Sequence, residues 1–429
     1  MKKWKRITAA ALCLIAALGI AACNSPSGNS SGKALQNVTF PKAYAFDDYE
    51  ARRTVRESNP VGDSFVASTN EFAYKTAAQL LTGSEGNANY LPLSLYFTLA
   101  VATTGANGGT ADGLLSLLGA SDKAELSRQS GNLYRFLHTD NKVGKLKIAN
   151  SLWMNKDFAF KQDFVKNAAE NFYSEAFNVD FTDEKTARNM SKWISDNTNG
   201  KLAPEMQFDS DILMTILNTI YFYDEWSNSF NENSTAKDDF NLPDGGTVSC
   251  DFMNATYQNG EYAIGDRFTR ASLFMKNGNS MVFILPDEGV SPRELLATPE
   301  KTREVFEGGE TGNAEIIWQI PKFEFRSGFD IIVSLRDLGV QSAFETDADF
   351  SGMTDEIAFI SKIIQETYIK IDEKGVEAAA YTRIDLAGGA AMPPPDTVEM
   401  ILDRPFIFGI YAPNGTLLFT GICDNPSVS

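Results

Sequence analysis

Residues 373–395 read Glu373-Lys-Gly-Val-Glu-Ala-Ala-Ala-Tyr-Thr-Arg-Ile-Asp-Leu-Ala-Gly-Gly-Ala-Ala-Met-Pro-Pro-Pro395, and two periodicities meet in them. Just upstream, Thr367, Ile369 and Ile371 share one face of an extended segment while Tyr368 and Lys370 share the other. That alternation is the mark of a half-buried strand. Gly375 interrupts it as a pivot with little backbone restriction. Beyond the pivot, Val376, Ala378, Ala380, Thr382, Ile384 and Leu386 fall on one parity and carry no charge, while Glu377, Tyr381, Arg383 and Asp385 fall on the other. This is strand periodicity with a face suited to a core. Yet the run ends in the small residues Ala387 to Ala391 and three prolines, which a central strand does not accept. Two readings fit: an edge strand running into a Gly/Pro loop, or an exposed loop able to become a sheet strand once it is cut.

The second reading is favoured by a resemblance. Glu373-x-Gly375-x-Glu377-Ala378-Ala379-Ala380 resembles the hinge of the serpins, inhibitors that trap serine proteases by loop insertion, and Asp403-Arg404-Pro405-Phe406-Ile407-Phe408 is similar to the family's C-terminal signature. Asn87-Ala-Asn-Tyr-Leu-Pro92-Leu-Ser94 resembles the family's Asn-x-x-x-Ser-Pro-x-Ser opening of a buried helix, with Leu91 where serine is usual. Asn218-Thr-Ile-Tyr-Phe-Tyr-Asp-Glu-Trp226 looks like the strand that carries a sheet-centre asparagine and a tryptophan at the loop-entry end. Similar blocks run from about Ser64 to Pro426. Within this span Thr69 or Asn70 reads as the cap of a helix from Glu71 to about Leu81, Asn150-Ser-Leu-Trp153-Met as the start of a strand, and Lys185 to Thr198 as an amphipathic helix that stops at Thr198-Asn199-Gly200-Lys201. The resemblance implies an α+β fold: a single serpin-like domain with a mixed central β-sheet, additional sheets, about eight or nine helices and an exposed reactive-centre loop over about 373–395.

It also implies a function. A target serine protease would cut the loop as a substrate, and the freed strand, about thirteen residues at ~3.3 Å each, would drag the acylated protease roughly 40 Å. Counting from Glu373 as the family does places the reactive bond at Gly389-Ala390, to within one or two residues. Its small neighbours suit elastase-like or subtilisin-like enzymes with shallow S1 pockets. The hinge would comprise Glu373, Gly375, Val376, Glu377, Ala378, Ala379 and Ala380, with Thr382, Ile384 and Leu386 completing the inward face. Ser94, Asn218, Gln365 and Trp226 resemble the cluster where the sheet parts for the loop. The alternative is a non-inhibitory relative, a binding or carrier protein whose loop is only a substrate.

The remaining features bound the partners. Lys2 to Arg6 followed by an apolar run to Ala22 reads as an export signal over 1–22. Ile20-Ala-Ala-Cys23 resembles a bacterial lipobox, so Cys23 is expected to carry lipid, to tether the protein to a membrane and to place it on the outside of the cell envelope. Residues 23–63 read as a tether and lead-in, and 64–429 as the folded domain. The formal charge is −18; loss of Lys2, Lys3, Lys5 and Arg6 takes it to −22 (−18 minus 4), which disfavours nucleic acid and heparin-like polyanions. The single histidine, His138, sits among apolar residues, and no nucleophile–base motif, metal spacing or cofactor loop accompanies it. Neither an enzyme nor a cofactor is therefore expected, and the inhibitor is expected to be a monomer. Cys250 and Cys423 are left as either buried thiols or a pair.

Overall fold

The computed structural model describes residues 38–206, 211–376 and 397–428. The predicted lipidation site Cys23 and the loop residues Glu377, Ala378, Ala379, Ala380, Thr382, Ile384, Leu386, Gly389 and Ala390 lie outside them.

Near the N-terminus the local chemistry forms more helix than the sequence pattern suggested. Within the stretch read as lead-in, Tyr49–Ser58 is helical, with Asp48 accepting the Ala51 amide at 2.9 Å as its cap and Glu50 and Arg56 at the ends that suit their charges. The next helix, expected to begin at Glu71 behind a Thr69 or Asn70 cap, runs Asp63–Thr82 behind Gly62. Thr69 and Asn70 are not caps because both lie buried inside the helix with other partners. Thr69 Oγ1 turns back to the Val66 carbonyl at 2.7 Å, and Asn70 Nδ2 reaches the Gly415 carbonyl at 2.8 Å. Pro92–Gly105, apolar on every side, is buried along almost its whole length, as such a helix must be.

Among the described residues, two sheets carry the rest, one of seven strands and one of nine. A central seven-stranded sheet runs in the order Phe323–Asp330, Ile364–Asp372, Gly375–Val376, Met214–Glu225, Gly144–Asn155 and Thr139–Asp140, with Ser174–Val179 parallel to Gly144–Asn155. The strand expected to begin at Asn150 starts at Gly144, because the alternation Gly144-Lys-Leu-Lys-Ile already buries every second residue. A nine-stranded second sheet contains the apolar closing strands Phe406–Tyr411 and Leu417–Cys423. The main core fills the space between these layers, where Phe222 of the central sheet meets Phe419 of the other with ring centroids 5.8 Å apart. A smaller core lies on the opposite face, under the amphipathic helix Glu184–Asn197, and gathers Trp153, Phe177, Met190, Trp193 and Ile194. Eight helices of nine or more residues and two shorter ones surround the sheets among the described residues. The fold is α+β, as expected.

Candidate functional site

The hinge sits at one end of the central sheet. Strand Ile364–Asp372 continues the alternation seen in sequence, with Thr367, Ile369 and Ile371 buried. The chain reverses through Glu373 and Lys374, and Gly375–Val376 then pairs antiparallel on both sides, with Asp372 and Ile371 on one flank and Glu225 and Asp224 on the other. Glycine is required at the pivot: a Cβ on Gly375 would run into the carbonyl oxygen of Asp224 and come within 2.8 Å of Glu225 Cα. Val376 is only 4% exposed.

Several groups pin this reversal. Trp226 is buried; its Nε1 donates to the Asp372 carbonyl at 3.0 Å and its backbone amide to the Lys374 carbonyl at 2.9 Å. It is both core and latch. The Glu373 carboxylate accepts from Thr235 Oγ1 at 2.8 Å and pairs with Lys322 Nζ at 3.0 Å. Burial alone would raise its pKa, but the backbone, Thr235 and Lys322 hydrogen bonds together hold it below the usual carboxylate value.

Among the described residues, the sheet has a gap below Val376. Among the described residues no ladder joins Met214–Glu225 to Ile364–Asp372, and a cavity of about 810 Å³ separates them. Its floor is apolar, with Leu95, Ile220, Phe222 and Ile369 among the lining residues. Ser94, Asn218 and Gln365 line the same cavity, so three of the four predicted cluster residues are brought together there, whereas Trp226 stands at its upper end. Gln365 bonds the Leu91 backbone in both directions at 2.9 Å, which fixes the start of the buried helix where serine is replaced. Asn218 donates to Asn150 Oδ1 at 2.6 Å, while its own Oδ1 is buried without a partner.

The pattern analysis missed Asp224. This carboxylate is fully buried beside the hinge and accepts from Asn277 Nδ2 at 2.9 Å, Asn279 Nδ2 at 2.7 Å and the Asn277 amide at 3.2 Å. Burial pushes its pKa up to about 7, against the lowering effect of those bonds. Its presence in an otherwise apolar strand was the available signal; its asparagine partners lie too far along the chain to be inferred. Elsewhere, His138 caps the helix Lys123–Leu137 and stacks on Tyr134, and burial lowers its pKa. Cys250 and Cys423 are both buried free thiols.

Among the described residues, the central sheet has a hinge strand wedged at one end of a gap, and comparison with known proteins identifies the class of fold. The family "Serpin (serine protease inhibitor)" matches residues 67–426. The leukocyte elastase inhibitor of Bos taurus is 31% identical over 364 residues, covering 80% of this chain and 93% of its own. An uncharacterised serpin-like protein of Thermococcus kodakarensis is 29% identical over 381 residues, covering 84% and 85%. Among solved structures, the native state of the thermophilic serpin tengpin superposes with a TM-score of 0.77 at 25% identity, covering 92% of this chain and 99% of its own. The chain belongs to the serpin family, many of whose members are protease inhibitors and not enzymes.

Proposed function

We propose that this protein is a suicide-substrate inhibitor of serine proteases with small S1 pockets. The observation that carries the reading is the two-residue strand Gly375–Val376, which among the described residues is all that bridges Ile364–Asp372 and Met214–Glu225, at the end of a largely apolar cavity. The target's serine Oγ attacks the Gly389 carbonyl, the Ala390 amine leaves, and an ester joins the protease to the new end of the loop. The freed strand then continues from Val376 into the cavity. Its uncharged face is buried, and its backbone gains ladder hydrogen bonds to the two flanking strands. Displacement of the acylated protease disorders its oxyanion site, so the ester persists.

The polar groups lining the cavity favour this reading over an empty fold. Asn218 Oδ1 has no partner, and a backbone amide arriving on the added strand would supply a donor at that level of the sheet. The lipobox-like Ile20-Ala-Ala-Cys23 supports a second part of the proposal, that lipid on Cys23 holds the inhibitor at the outer face of the cell envelope. Metabolic labelling with a radioactive fatty acid, lost in Cys23→Ser, tests that part.

The mature domain mixed with an elastase-like protease should give a covalent band that survives denaturing electrophoresis, with release of a peptide beginning at Ala390 or within two residues of it. Cleavage without such a band would make the loop a plain substrate and would remove the inhibitory function for that class of protease.

A further inference from the structure

The end of the central sheet remote from the hinge carries a group of exposed apolar side chains. Strand Ile364–Asp372 spans roughly 30 Å between that pole and the hinge, at ~3.3 Å for each of its nine residues. At the pole Asp330 pairs with Ile364, and Met154 with Met214. Phe158 and Val333 follow two of these strands by a few residues, Ile357 and Phe359 precede a third, and Ile364 opens it. The segments on either side of the gap meet here. Phe160 bridges Thr354, the Lys161 amide donates to the Met353 carbonyl at 2.9 Å, and Thr354 Oγ1 donates to the Ala159 carbonyl at 2.8 Å. The Ile331 amide, on the Ile363 carbonyl at 3.1 Å, brings Val333 to the same end. These five side chains are 36–79% exposed and make up half of the ten large hydrophobics exposed among the described residues, a concentration that marks a contact surface. Ile357, Phe359 and Ile364 form the lower mouth of the cavity, but Phe158 and Val333 stand outside it, so filling of the cavity does not account for the group.

We propose that this pole lies on the bilayer that holds the lipid of Cys23, with Phe158, Val333, Ile357, Phe359 and Ile364 in the headgroup region and the hinge facing away. The inference rests on the lipid-anchor reading above. The course of the N-terminal segment favours lipid as the occupant. The Phe46 ring centroid lies 6.0 Å from Lys142 Nζ, beside Gly144 at the hinge end. Phe40 stacks on Tyr173 at 6.4 Å, level with Asn150 and about halfway down Gly144–Asn155. Traced backwards, the chain thus heads for the pole. Cys23 precedes Val38 by fifteen residues, at most about 50 Å of chain, whereas Asn150 stands only about 17 Å of strand from Asn155. Lipid and pole can therefore enter one bilayer. Charge does not oppose the approach: residues 155–163 and 354–364 carry a formal −1, three lysines against four acids. Lys161 pairs with Asp355 at 2.8 Å and Lys156 with Asp180 at 3.4 Å. The contact is apolar, and the tether makes even a weak one effective. It is also displaceable. An inserted strand that keeps Val376 opposite Ile371 would bring Gly389 level with Ala358, so an acylated protease would arrive at this pole and lift it from the lipid.

The test binds the full acylated chain, with a fluorophore on one introduced cysteine, to phosphatidylcholine vesicles that carry a quencher on their acyl chains. Native Cys250 and Cys423 are buried and should stay unlabelled. A label at Ser361→Cys, exposed between Phe359 and Ile364, should be quenched, and one at Glu232→Cys, near the hinge, should not. Ile357→Ser with Phe359→Ser, or Phe158→Ser with Val333→Ser, should remove most of the quenching while the protein still floats with the vesicles. All four positions are exposed, so an unchanged Tm of the uncut chain shows that the fold survives in each pair. Formation of the covalent protease complex should remove the quenching too. Vesicle-bound protein with both labels equally unquenched overturns the docked pole and leaves the anchor standing. Quenching that persists unchanged in both double variants, or in the covalent complex, does the same. An unquenched pole on a chain that sediments as a dimer in detergent gives the surface to a second copy and also overturns the proposal. A chain that fails to float with the vesicles overturns the anchor, and the docked pole with it.

Discussion

Lys322 Nζ lies 3.0 Å from Glu373 Oε2, and it does so from the one-residue step between Glu310–Pro321 of the second sheet and Phe323–Asp330 of the central sheet. The pair thus ties the hinge to the seam between the two sheets. The glutamate side chain is 9% exposed, so reversal of its charge leaves two cations facing each other with little water between them. Glu373→Lys should cost about 2 kcal/mol or more and lower the native Tm by a few degrees. Thermal melting of the uncut protein checks this; a Tm equal to the parent's would show that the pair does not hold the hinge.

Asp224 makes native stability depend on pH. Burial raises its folded pKa to about 7, well above the unfolded value near 4. The stability contributed by the neutral carboxyl is complete below the unfolded value and is lost as pH rises through about 7. The native stability should therefore fall as pH rises from about 4 to about 7 and level off above that, by an amount on the order of a few kcal/mol at most, and the native Tm should fall with it. Asp224→Asn should flatten that step. It should also lower the Tm at pH 5, because its amide group turns a donor toward the Asn277 and Asn279 donors. A step of equal size in Asp224→Asn would assign it to another group.

Gly375→Ala probes the pivot without introducing charge. The added Cβ meets the backbone of Asp224 and Glu225, which cannot rotate away as a side chain can. The two-residue hinge strand should be displaced and Val376 exposed. The expected result is slower insertion after cleavage, with a larger fraction of inhibitor consumed as substrate per covalent complex formed. Titration of protease against inhibitor reads that fraction directly, and an unchanged value would mean that the hinge re-seats without the close contact.

Much of this site was legible because its signals are local. The alternation through Thr367 to Ile371, the break at Gly375 and the uncharged parity beyond it each need only a few neighbouring residues, and the described part falls where it was expected. The turn Thr198-Asn199-Gly200-Lys201 was readable as a helix stop for the same reason. What Lys201 touches was not, since Tyr368 and Arg326 lie more than a hundred positions away. Asp224 with Asn277 and Asn279, and Glu373 with Lys322 and Thr235, are likewise meetings of distant segments that only the sheet topology creates. The helix start near Asp63 was misplaced because Thr69 and Asn70 have the side chains of caps, and only their buried partners show that they are not.

Val376 is the first inward residue of the strand to be inserted, and it offers the sharpest separation of inhibition from mere cleavage. It is buried at 4% exposure between Ile371 and Asp224, so a carboxylate there would be desolvated beside another carboxylate. Val376→Glu should keep its hinge out of the sheet. The loop would still be cut, but deacylation would outrun insertion, and the covalent band should disappear while cleaved inhibitor accumulates. The uncut variant should stay folded, because the change empties a hinge that occupies only two residues of the sheet. Val376→Thr fixes the interpretation. It keeps the shape and adds a hydroxyl at the mouth of the cavity, so it should retain the covalent band. Loss of the band in both variants would point to damage at the sheet edge, whereas its persistence in Val376→Glu would show that the protease is trapped without the hinge entering the sheet.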